Sequence, residues 1–96
     1  MSDFFDDAFY KRAEAHINLS NDQLDHAPRE GVYASMMFST ARFCAWASAS
    51  GFVSGESMKA KREETVEFFM NGFRQMLEGN LDAYIANFDD YMKRRE

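Results

Sequence analysis

The sequence predicts an all-α fold, on three observations. Pro28 is the only proline in the chain. No alternating β-branched run occurs that would read as a strand. Apolar residues recur every three or four positions from Val66 through Phe69, Phe73, Leu77, Leu81, Tyr84 and Phe88 to Tyr91, the spacing of one helix face. The expected architecture is a three-helix bundle with a long C-terminal helix, residues 1–96 forming a single helical domain.

The first helix is expected from Asp3 or Asp6 to about His26. Asp3, Asp6 and Asp7 suit its positive end. Phe5, Phe9, Ala13, His16 or Ile17, and Leu24 form its stripe, and Ser20 weakens it. Pro28 disfavours helical geometry at Ala27, so the chain restarts there. The second helix is expected from Arg29 or Glu30 to Ser50, with Gly51 as the residue that ends it. It is rich in Ala, Ser and Thr, which let neighbouring backbones approach. Val32, Met36, Phe43 and Ala47 mark one face, and Phe38 and Trp46 another, so it reads as a central helix. After the connector Phe52-Val53-Ser54-Gly55, Ser54 is the expected N-cap of the third helix. Gly72 and Gly79 are its weak points, and Gly79-Asn80 is the candidate break. Unbroken from Gly55 to Lys93 it would reach on the order of 57 Å. A compact domain of this length is only about 30–35 Å across. Leu77 and Leu81 keep register across the candidate break, which favours a continuous or gently kinked helix.

Composition narrows the function classes. Net charge is −5, which repels phosphate backbones and anionic membranes. The basic clusters Lys59-Ala60-Lys61-Arg62 and Lys93-Arg94-Arg95 are short and have Glu63, Glu64 and Glu96 beside them. No nucleic-acid and no membrane partner is expected. Arg42 is the only charge between Gly31 and Gly55, yet the serines of that stretch make it too polar to insert in a bilayer. Cys44 is the single cysteine, which excludes an intramolecular disulfide and suits a reducing, cytoplasmic setting. The acidic start, Met1 to Asp7, lacks the basic flank and apolar run of a signal peptide. Ten Phe, four Tyr and one Trp are a large apolar load for a small domain. Either they fill the core, the simpler reading, or some face a partner.

Chemical motifs are absent. Ala13 and Gln23, not Glu, stand three residues before His16 and His26, so a di-metal carboxylate bundle is not indicated. One cysteine cannot frame zinc. Cys44 sits among Ala and Phe, where a thiol behaves as a small hydrophobe rather than a nucleophile beside His16. No glycine-rich phosphate loop occurs. No metal and no cofactor is expected. Glu63, Glu64 and Glu67 read as a solvated face, with Lys59 pairing to Glu63 one turn on. The one polar lead is Arg42: isolated in a neutral helix, it must reach water, a carboxylate or an anionic ligand. Trp46, four residues on, is placed to stack with it. His16, among Ala13, Ile17 and Ser20, completes a candidate ligand set of His16, Arg42 and Trp46.

Phe9-Tyr10, Arg12-Ala13, Ala15-His16-Ile17, Asn21 and Gln23-Leu24 resemble the opening of a family of short bacterial proteins catalogued only as a domain of unknown function. Ala41-Arg42-Phe43, Ala45-Trp46, Arg62-Glu63-Glu64, Tyr84-Ile85 and Asn87-Phe88 extend the resemblance from Phe9 to about Met92. It implies a bacterial, stand-alone helical protein, and it carries no activity or catalytic residue with it.

Two functional expectations result. The first is a non-enzymatic interaction protein acting as a homodimer or larger. Its expected interface is Leu81, Tyr84, Ile85, Phe88, Tyr91 and Met92, which would otherwise be stranded in water at the far end of a long helix. An unidentified protein partner is the other occupant considered. The second is a small anionic-ligand binder or enzyme centred on Arg42, His16 and Trp46. An apolar patch would favour the first, and a pocket joining Arg42 and His16 the second.

Overall fold

The structure, a computed structural model, describes residues 5–93. They are all-α: α1 spans Asp7–Gln23, α2 Arg29–Ala49, α3 Gly55–Ala60, α4 Arg62–Ala86 and α5 Phe88–Lys93. None of these helices is long and apolar enough to cross a membrane. The chain divides into two units, Met1–Trp46 and Ala47–Glu96, taken here in turn.

In the first unit, Asp6 caps α1 by accepting a hydrogen bond from the Phe9 amide at 2.9 Å. That satisfies one of the unpaired donors of the first turn. Asp3, the alternative start, lies outside the described residues. The Phe5 and Phe9 rings meet at 4.8 Å across the helix entry. α1 stops at Gln23, three residues before the expected end. The Asp25 and His26 amides take carbonyls three residues back rather than four, those of Asp22 and Gln23, which winds the chain off the helix ahead of Pro28. The Pro28 carbonyl accepts the first bond of α2, from the Val32 amide at 3.1 Å. Val32 is the one buried residue among those described, 6% exposed. Close by in the chain, the Ser20 hydroxyl of α1 reaches the Met36 sulfur of α2 at 3.9 Å. Ser20, the polar residue in the stripe of α1, thus touches α2.

In the second unit, α2 ends without the expected left-handed glycine, since no described glycine has a positive φ. The Gly51 and Phe52 amides instead bond three residues back, to Ser48 and Ala49. Ser54 caps α3 as expected, accepting from the Ser57 amide at 3.1 Å. The candidate break at Gly79-Asn80 is not used: α4 runs through both residues. Asn80 turns its amide back to the Met76 carbonyl at 2.8 Å and leaves the helix intact. The interruptions fall at Lys61 and Asn87, so the expected third helix is three. Lys61 takes φ −107° and ψ 12°, and Asn87 φ −126° and ψ 35°. Each interruption supplies the first carbonyl of the helix that follows, Thr65 donating to that of Lys61 and Tyr91 to that of Asn87.

Within neither unit do the described rings fill a core. Tyr10, Tyr33, Phe38, Phe43, Trp46, Phe68, Phe73, Tyr84, Phe88 and Tyr91 are all exposed. Phe9, Phe52 and Phe69 are half-buried.

Candidate functional site

The three candidate ligand residues lie on the first unit, His16 on α1 and Arg42 and Trp46 on α2, and all are exposed. Arg42 enters none of the ion pairs among the described residues, which join Arg29 to Glu30, Lys61 to Glu64, Arg62 to Glu63 and Arg74 to Glu78. The expected Lys59–Glu63 pair is replaced by the middle two. Arg42 is not shut away: its guanidinium stands in water, so the partner that burial would demand is not required. The ring neighbour of Trp46 is Phe43, 5.5 Å away and tilted by 39°, in place of the expected Arg42 stack. One shallow hollow is lined by Tyr10, Lys11, Ala13, Glu14 and Ile17. A second is lined by Ser48, Phe52, Lys61, Glu64, Thr65, Phe68 and Phe69. Neither contains His16, Arg42 or Trp46. No three His, Cys, Asp or Glu side chains come together among the described residues. The chemistry this arrangement offers is a set of separate polar groups on open helices.

The six candidate interface residues present the opposite picture. Leu81, Tyr84, Ile85, Phe88, Tyr91 and Met92 are all exposed, Ile85 by 75%. The Tyr84 and Tyr91 rings meet at 4.5 Å across the Asn87 interruption, so the surface continues from α4 onto α5. Upstream, Val66, Phe73 and Leu77 extend the same stripe and are exposed as well. Sequence periodicity found this stripe. It missed Met70 and Met76, which are also exposed and fall one heptad from Leu77 and Phe69, and Phe68, which is exposed and lies off it. With them, α4 is apolar over much more than the ~100° arc that one core-facing side needs.

The surface is large in absolute terms. The chain exposes 8776 Å². Two compact, non-touching units that share its 11.1 kDa equally would expose only about 6,800 Å² together. The excess, roughly 2,000 Å², therefore does not depend on how the units are placed.

Over residues 9–85 the sequence matches the model of a family described as protein of unknown function, DUF3144. The match stops at Ile85, short of Phe88, Tyr91 and Met92. No curated protein matches. Among solved structures, the chain is similar to one described as the NMR structure of the protein NB7890A from Shewanella sp. The two are 35% identical and superpose with a TM-score of 0.77, over 97% of this chain and 99% of that one.

Proposed function

We propose, from the premise that this chain belongs to the DUF3144 family of proteins of unknown function, that it is a non-enzymatic helical interaction protein that works as a homodimer or larger assembly. The observation that carries the reading is the roughly 2,000 Å² of surface beyond what two compact units would expose. Much of what is exposed is aromatic and aliphatic side chain, and monomeric proteins rarely leave contiguous apolar patches of more than a few hundred Å² in water. A second copy is the simplest occupant, because an interface that self-association creates is available wherever the chain is made. A catalytic reading centred on His16, Arg42 and Trp46 lacks support from the two hollows described, since neither is lined by any of the three. The setting proposed is the bacterial cytoplasm. The lone cysteine suits a reducing compartment, and the structural relative comes from Shewanella sp.

Light scattering on a sizing column tests this directly. The expected mass at micromolar concentration is at least twice 11.1 kDa. A single-chain mass overturns the reading.

A further inference from the structure

Resting on that self-association, we infer that α4 pairs with α4 of one second copy, parallel and in register, with Asn80 set against the partner's Asn80.

Within α4, Val66, Met70, Phe73, Leu77, Asn80 and Tyr84 follow one another at spacings of four, three, four, three and four. The average, about 3.5 residues, is the repeat that lays a straight seam along a two-stranded coiled coil. All six lie between Arg62 and Ala86, inside one unbroken helix. The five apolar members are each at least 44% exposed, and Asn80 is exposed with them. The half-buried residues of α4 are Thr65, Phe69, Gly72 and Ala83, which fall about a quarter turn away. The covering that α4 does receive is therefore on another side, and the seam is left open.

Asn80 points to what covers it. It is the one polar residue of the seam, with Leu77 before it and Tyr84 after it. Its side-chain amide donates to the Met76 carbonyl at 2.8 Å, which leaves its oxygen and a second N–H to find partners. An apolar partner would strip water from both and return nothing. A parallel copy in register returns the same amide, the oxygen of each Asn80 accepting from the other. A seam asparagine fixes register and strand number in this way. An antiparallel copy could bring the two together only by crossing at residue 80. Val66, Met70 and Phe73 would then lie beyond the end of the partner's α4 at Ala86. The area also suits a second copy, since the excess of roughly 2,000 Å² exceeds the ~800 Å² that each partner loses in a standard interface.

Single cysteines test direction and register, each with Cys44→Ala to remove the native thiol. Met70→Cys and Tyr84→Cys stand about 21 Å apart along the helix. In a parallel, in-register pair each meets its own copy, so both variants are expected to form a disulfide-linked dimer with copper phenanthroline. Antiparallel helices can bring at most one of the two to its own copy. Gln75→Cys, on the far side of α4, is expected to cross-link about tenfold more slowly or less. Cross-linking at only one seam position, at neither, or equally at position 75 overturns the pairing. Asn80→Leu, added to each seam variant, tests the asparagine. Association is expected to persist while cross-linking falls severalfold, because other registers open. Unchanged cross-linking, or lost association, overturns the role of Asn80. A mass of one chain for the unsubstituted protein overturns self-association itself, so the two failures are told apart by mass.

Discussion

Val32 stands where α2 leaves Pro28, and among the described residues it alone is buried. Burying a side chain of this size contributes about 1.5–3 kcal/mol. Val32→Ala is therefore expected to cost about 1–2.5 kcal/mol, read from the urea midpoint at unchanged slope. No cost would show that the burial of Val32 adds nothing to folding. Arg42 is the contrasting case. It is exposed and unpaired among the described residues, so Arg42→Met should leave stability within about 0.5 kcal/mol. A large loss in the same titration would point to a carboxylate supplied by another copy. The isolation of Arg42 in a neutral helix was legible in the sequence, but its exposure was not. Solvation of a side chain depends on what packs around the helix, and periodicity within a single helix carries no such information.

Helix starts were more legible than helix ends or interruptions. Asp6 and Ser54 announce themselves because a short oxygen-bearing side chain at an N-cap has one local job, and the structure gives both that job. Gly79 attracted suspicion on propensity alone, yet the surrounding good helix formers carry α4 through it. Lys61 and Asn87 contain no proline or glycine signal. At Asn87 the side-chain amide bonds the Ala83 carbonyl at 3.0 Å, while Asn80 makes the same bond to Met76 inside an unbroken helix. One side-chain motif thus accompanies both outcomes and does not mark a boundary by itself. Amide exchange separates the two sites. Gly79 to Asp82 lie inside α4, whereas Phe88, Asp89 and Asp90 open α5, where first-turn amides have no intrahelical acceptor. The second group is expected to exchange faster by an order of magnitude or more. Equal protection across both would mean that α4 and α5 are one helix in solution.

For the molecule as a whole, net charge and apolar surface point to different partners. With a charge of −5 and basic residues confined to short, acid-flanked groups, binding to generic DNA or RNA at physiological salt is not expected. A gel shift at micromolar protein that fades as salt rises would contradict this. The apolar surface argues for attraction between copies. A chain with a single buried residue among those described has little interior of its own to oppose the conformational entropy of its helices. In the assembly proposed above, surfaces that association covers add to stability, and folding becomes linked to concentration. The thermal midpoint should rise with protein concentration, whereas a self-sufficient monomer would melt at one temperature throughout. Phe88→Asp extends the argument to the stripe, since Phe88 is 59% exposed and its ring has most of its surface still to bury. Placing a carboxylate there would be nearly neutral in an isolated chain but unfavourable in a dry interface. The expected result is a shift to single chains or loss of folding, with the midpoint falling most at low concentration. A stable, unshifted assembly would place the interface away from α5.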